Sequence, residues 1–292
     1  MIQYAGMKII KSSGVEVRYD PEKVRKSIIR TGATPEMAEQ VMKRVEPKVR
    51  DGMTTKELYK MVLDELKKDS LCFACRYNLR EAILKMGPAG FKFEKYVAGI
   101  LRAYKYDARV PDEELKGSCV KHEVDVVAEK NGRTMFIEAK FRNKFSDYVN
   151  LKDTMATWAR FLDLVDGAAV GKTIHFDEAW IVTNGGFSDR AKQFGVCKGM
   201  HMIGWNFPPE RSLVGMVDYM TLYPVTVLAD LKQHELEGFA RQRMILCREV
   251  AEKEPDEIAE QIGISEERAS EIIEMCGLVV EGEHVEEAHP KK

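Results

Sequence analysis

Residues 123–141, "EVDVVAEKNGRTMFIEAKF", constrain the fold more than any other stretch of the chain. Two runs rich in Val, Ile and Phe flank Asn131-Gly132. Asn-Gly between strand-like runs is a strong signal for a two-residue type I′ hairpin. With that turn, the numbers of paired residues sum to 263, so Asp125 stands opposite Glu138 and Glu123 opposite Lys140. Strand side chains alternate faces. Phe136, Glu138 and Lys140 therefore share one face, and Ile137, Ala139 and Phe141 the other. Directly opposed side chains have Cβ atoms about 4.5–5.5 Å apart, and like charges placed so repel. A divalent cation between the two carboxylates removes the conflict, because hard cations take carboxylate oxygens. Lys140 beside them is placed to polarise a phosphate or orient a water. Metal, carboxylates and lysine together are equipment for hydrolysing a phosphodiester. The competing reading is a solvated, charged hairpin face.

The surroundings predict an α/β sandwich. A helix over "FKFEKYVAGILRAYKY" has Phe93, Val97, Ile100, Leu101 and Tyr104 as its buried stripe. After the hairpin come a helix over about 149–166, a buried-type strand "EAWIVT", a helix in "SDRAKQFGVCKG" and a short strand in "MHMIGW". The order α-β-β-α-β-α-β implies a mixed sheet. Asp125 followed by Glu138-Ala139-Lys140 resembles the PD-(D/E)xK nuclease superfamily, the restriction-endonuclease-like fold. "IVTNGGFSDRAKQFGVCKGMHMIGW" looks like the closing strand–helix–strand of its Mrr-like branch. The resemblance covers roughly residues 90–208. It implies a catalytic set of Asp125, Glu138 and Lys140 with Glu94 from the preceding helix. It implies Mg²⁺ or Mn²⁺ held by Asp125, Glu138, the carbonyl of Ala139 and Glu94, and DNA as substrate. Members of the branch often carry Gln or Lys on the helix after the E-x-K; here that helix offers Lys152 and Asp153.

The front of the chain reads differently. "KIIKSSGVEVRYD" alternates around Ser-Ser-Gly as a hairpin does. "PEKVRKSIIRTG" starts on Pro and ends on Gly, normal helix punctuation. Further helices are predicted over 35–49, 54–68 and about 71–86, and "MGPAG" at 86–90 breaks the pattern. This front resembles an ATP-cone, the adenine-nucleotide-binding regulatory domain of ribonucleotide reductases. Ile9, Lys11, Gly14 and Lys23 fit its opening pattern, and "DGMTTKEL" fits its later turn. The match covers roughly residues 7–87. It implies ATP or dATP bound by Ile10, Lys11, Ser12, Ser13, Gly14, Lys23, Thr55 and Lys85. Backbone N–H groups in a Gly turn and nearby lysines suit a polyphosphate. Ser12-Ser13 stand where the family usually has a basic–acidic pair.

The two ends carry opposite charge. Residues 1–90 have 18 basic and 12 acidic side chains; residues 223–292 have 8 and 17. The acidic end should repel nucleic acid. "DEIAEQIGISEERASEIIEM" resembles a helix–turn–helix or helix–hairpin–helix unit. Its second helix is too acidic for phosphate, so a protein partner or a structural role is expected. "GAAVGKT" at 167–173 has its first Gly one residue too near the G-K-T and follows a helix, so it is not a P-loop. Cys72-x-x-Cys75 lacks a second ligand pair nearby for zinc. The six cysteines read as reduced thiols.

The expected protein is therefore multidomain α/β. A helical ATP-cone with an N-terminal β-hairpin occupies 1–88, a restriction-endonuclease-like sandwich with a mixed sheet 89–222, and a small α-helical domain with a frayed tail 223–292. The expected function is a Mg-dependent endodeoxyribonuclease regulated by ATP or dATP. The alternative is a non-catalytic, nucleotide-responsive DNA-binding protein that keeps the nuclease fold as scaffold. A cytoplasmic homo-oligomer, a dimer in its simplest form, with no membrane contact, completes the expectation.

Overall fold

The structure, a computed structural model, describes residues 6–11, 13–87, 92–144 and 147–281. The chain divides into two compact units, one built from its two ends and one from Leu84–Leu222.

In the first unit, strands β1 (Lys8–Ile10) and β2 (Glu16–Arg18) form the expected hairpin. β3 (Met53–Thr54) adds in parallel on the other side of β1, which sets Thr54 beside Ile10. Helices α1 (Pro21–Ile29) and α2 (Pro35–Val45) start on Pro and are capped by Asp20 and Thr34. α3 (Thr55–Asp69) opens with a capping box between Thr54 and Glu57. The stretch 71–86, expected as one helix, is two: α4 (Leu71–Tyr77) and α5 (Leu79–Met86). Asn78 marks the break, and its buried amide both accepts and donates. It accepts from the Tyr59 hydroxyl at 2.7 Å and donates to the Val227 carbonyl at 3.1 Å.

The second unit begins with α6 (Phe93–Ala103) and β4 (Asp107–Arg109). The short pair β5 (Leu115–Lys116) and β6 (Lys121–His122) leads into β7 (Val126–Lys130) and β8 (Arg133–Lys140). Then follow β9 (Tyr148–Val149), α7 (Leu151–Ala169), β10 (Glu178–Thr183), β11 (Gly186–Phe187), α8 (Asp189–Cys197), β12 (His201–Ile203) and α9 (Leu213–Tyr219). The main sheet has the order β12-β10-β8-β7-β4. β8, β10 and β12 run parallel, while β7 and β4 are antiparallel to their neighbours, so the sheet is mixed as expected. β4 was not expected; three residues are too few for alternation to show. Asn131 and Gly132 both have positive φ, 53° and 74°, as a type I′ turn requires. The ladder pairs Val126 with Ile137 and Lys130 with Arg133, so the register summing to 263 stands. Val127, Phe136 and Ile181 face a core with Phe161 and Leu164 of α7 and Ala191 of α8. α6 packs against β4, β7 and β8, and Phe141 meets Phe93 of α6 with ring centroids 5.6 Å apart. The Gly-Lys-Thr stretch is not a nucleotide loop here, since α7 runs through Ala169.

The chain's last part returns to the first unit as α10 (Gln233–Arg241), α11 (Cys247–Ala251), α12 (Pro255–Ile262) and α13 (Glu266–Glu281). Gly263 ends α12 at φ +79°, a conformation glycine adopts at no steric cost. Ala269, Ile272, Cys276 and Val279 form the buried stripe of α13, which packs on α11, α12 and α4. Arg268, the base among the acidic residues of this helix, is held by Glu235 at 2.8 Å and Glu271 at 2.9 Å. Arg268 thereby ties α13 to α10. Thr226 donates to the Ala82 carbonyl at 2.8 Å, a second tie between the two chain ends. The tail expected to fray lies outside the described residues, from 282 onward. No helix among the described residues is long and apolar enough to cross a membrane.

Candidate active site

Asp125 lies one residue before the Val126–Ile137 pair that ends the ladder, in the bend that leads into β7. Asp125 Oδ2 accepts the Ala139 N–H at 2.7 Å, which fixes the carboxylate against the next strand. Glu138 is almost fully buried on the α7 side of the sheet. Its Oε1 is paired with Lys140 Nζ. Its Oε2 is paired with Arg160 of α7 at 2.5 Å. Burial first, and then the charge of Glu138, push the Asp125 carboxyl up to about 6. The Ala139 N–H and the charges of Lys140 and Arg160 pull the other way. Two carboxylates sharing one half-buried place at this cost are a donor set that a hard cation would relieve.

α7 holds this place from one side. Asn150 and Asp153 form the capping box that starts the helix. Asp153 also pairs with Arg142 at 2.5 Å, so it serves the fold and not the carboxylate pair. Arg160 sits beside the buried stripe of Thr157, Phe161 and Leu164, and its guanidinium also donates to the Glu123 carbonyl. One turn on, Asp163 accepts the Cys119 N–H at 2.8 Å and meets His122 Nε2 at 2.7 Å. These bonds hold the Asp163 carboxyl well below the usual carboxylate range. Arg160 and Asp163 together pin residues 119–123, the segment that delivers Asp125.

Of the sequence-predicted residues, Asp125, Glu138, Ala139 and Lys140 come together. Glu94 is half-buried in the first turn of α6. Among the described residues no group of three His, Cys, Asp or Glu side chains could hold a metal ion. Mg²⁺ is often held by one or two carboxylates with waters completing its shell, so the pair with the Ala139 carbonyl is a fitting donor set. Arg160 was missed. Its only sequence signal is an arginine at the margin of an apolar helical stripe, three residues before Asp163.

The nucleotide residues gather in part. Lys11 and Gly14 close a turn through the Gly14 N–H to the Lys11 carbonyl at 2.8 Å, and Gly14 has φ +81°. The β1–β3 pairing brings that turn's strand alongside the start of α3, where Thr55 lies. Ser13 and Lys23 are exposed, and Ser12 lies outside the described residues. Lys85 is exposed on α5, beyond the point where the first unit ends.

Comparison with known proteins adds four findings. The ATP cone domain family matches residues 7–79, and the family "AF1548-like, C-terminal" matches residues 223–280. An uncharacterized protein of Archaeoglobus fulgidus is 35% identical over 159 residues, covering 54% of this chain and 86% of that relative. The chain belongs to the AF1548-like family. A crystal structure of AF1548, described as a protein of unknown function, superposes with a TM-score of 0.55 at 33% identity, covering 65% of this chain and 97% of that one. Membership in the AF1548-like family thus supports the multidomain α/β fold. The segment that the family's C-terminal model matches is the helical part in which Arg268 is held by Glu235.

Proposed function

We propose that this protein is a divalent-metal-dependent endodeoxyribonuclease whose activity answers to ATP or dATP. The observation that carries the proposal is the convergence of Asp125, Glu138 and Lys140 on one end of the hairpin. Asp125 and Glu138 offer carboxylate oxygens from adjacent strands, and the Ala139 carbonyl lies between Glu138 and Lys140 in the chain. The Ala139 N–H keeps Asp125 oriented. Lys140 holds a positive charge two residues from Glu138, where it can donate to a phosphate oxygen or orient a water. A bound Mg²⁺ or Mn²⁺ supplies Lewis-acid polarisation of the phosphodiester and a more acidic water. The ATP-cone match at the front supports an adenine nucleotide as the regulatory ligand, held around Lys11, Gly14 and Thr55.

The test is a cleavage assay on duplex, branched and single-stranded DNA, in Mg²⁺ or EDTA, with and without ATP or dATP. Metal-dependent cleavage that nucleotide changes is the expected result. DNA binding without cleavage of any form would favour a nuclease fold kept as a nucleotide-responsive scaffold. A calorimetric titration showing that neither nucleotide binds at millimolar concentration would remove the regulatory part alone.

A further inference from the structure

Both oxygens of Glu138 are already taken by cations of the chain, Oε1 by Lys140 and Oε2 by Arg160. A metal ion reaching Glu138 competes with both for the negative charge of the carboxylate. The two cations differ in how they can yield. Lys140 follows Glu138 on the same strand, and its ammonium has one hydrogen-bond partner among the described residues. Arg160 comes from a different element, α7, and has two anchors in the site. One guanidinium nitrogen meets Glu138, and the other donates to the Glu123 carbonyl. Its plane also lies over the Phe136 ring, 5.8 Å from the centroid. Its side chain keeps 27% of its surface exposed, against 4% for Glu138, so it lies between the buried carboxylate and solvent.

We infer that Arg160 gates the site: it competes with the metal for Glu138 until a DNA phosphate gives its guanidinium another partner. This inference rests on the nuclease reading. The Glu123 carbonyl serves as the pivot, so the nitrogen that leaves Glu138 keeps a short reach to an incoming phosphodiester. Arginine suits the double role, because its planar fork makes paired bonds to carboxylate and to phosphate alike. Metal and DNA are then coupled through one side chain. DNA draws Arg160 off Glu138 and so tightens metal binding, and by reciprocity metal tightens DNA binding by the same factor. Without DNA, Arg160 keeps the metal weakly held, which restrains cleavage chemistry until substrate arrives.

The experiment is a Mn²⁺ titration of the full chain by calorimetry, with and without a short DNA duplex, on wild type, Arg160→Gln and Arg160→Lys. Without DNA, Arg160→Gln should bind Mn²⁺ about fivefold more tightly than wild type, the size expected when a partly exposed ion pair of about 1 kcal/mol no longer competes. The duplex should tighten Mn²⁺ binding to wild type and leave Arg160→Gln unchanged. Arg160→Lys keeps the competing charge and should stay within about twofold of wild type without DNA. Weaker or equal Mn²⁺ binding by Arg160→Gln would overturn the gate, as would Arg160→Lys binding as tightly as Arg160→Gln. If wild type binds no Mn²⁺ in either condition, the nuclease reading itself falls, an outcome distinct from failure of the gate alone.

Discussion

At the scale of single residues, the argument turns on Asp125. Its carboxyl is raised from an ordinary value of 3.8 to about 6 by burial and by Glu138. A raised acid costs stability from the ordinary pKa upward, fully so above the folded value. At neutral pH and without metal, the ionised Asp125 carboxylate therefore costs stability, first through burial and then through Glu138. Asp125→Asn keeps an acceptor for the Ala139 N–H and removes the repulsion. Thermal and denaturant unfolding in EDTA at neutral pH should show the variant more stable, by on the order of 2 kcal/mol. Near pH 4, where Asp125 is protonated in the folded chain, the gap should shrink. Added Mg²⁺ should stabilise wild type and not the variant. An Asp125→Asn protein less stable than wild type in EDTA would mean that the two carboxylates are not in conflict. The sequence makes the closeness of the two carboxylates legible, because Asn131-Gly132 fixes the hairpin register. Arg160 was not legible. Its place depends on how α7 crosses the sheet, and no local spacing encodes that.

Among the elements, α7 and the loop before Asp125 act as one piece. Gly167 of α7 passes so close to this loop that an added Cβ would lie 2.7 Å from the Lys116 carbonyl oxygen and 2.8 Å from the Gly117 carbonyl carbon. Both contacts are to backbone, which cannot step aside cheaply. Gly167→Ala should destabilise the second unit by about 1–3 kcal/mol, the usual cost of overpacking, and should weaken Mn²⁺ binding by shifting residues 119–123. A variant with unchanged melting and unchanged metal affinity would show that the loop does not position Asp125. In the first unit, Glu65 on α3 is nearly buried among Arg44 and Lys48, with Lys68 of its own helix. Hydrogen bonds from Lys48 and then Lys68 lower its carboxyl to about 2. A depressed acid stabilises the fold above its ordinary pKa, and that contribution is lost as pH falls from 4.5 toward 2. Glu65→Gln should flatten the acid limb of the first unit's stability across that window; an unaltered acid limb would contradict it. A glutamate in the first turn of the helix before the hairpin, Glu94, matches an order of elements; order alone does not give its distance from Asp125.

The whole chain is arranged less simply than three successive segments. Its front and its end form one unit, tied by Asn78 to Val227, by Thr226 to Ala82 and by α4 against α13. Sequence patterning put breaks near 88 and 222, where the units meet after Ile83 and after Leu222, and did not reveal this pairing, since amphipathic stripes report that a face is buried and not what buries it. A chain ending at residue 222 should therefore melt its ATP-cone at a lower temperature than the full protein. Equal melting would mean that the C-terminal helices contribute nothing to the cone. The central claim, that Asp125, Glu138 and Lys140 make a metal-dependent phosphodiesterase site, is tested most directly by measuring DNA cleavage in Mg²⁺ and Mn²⁺ binding side by side for wild type, Asp125→Ala and Lys140→Ala. Wild type should bind Mn²⁺ and cut, Lys140→Ala should bind Mn²⁺ without cutting, and Asp125→Ala should do neither. Cleavage by Lys140→Ala or Asp125→Ala at the wild-type rate, or no cleavage of any DNA form by wild type, would contradict the claim.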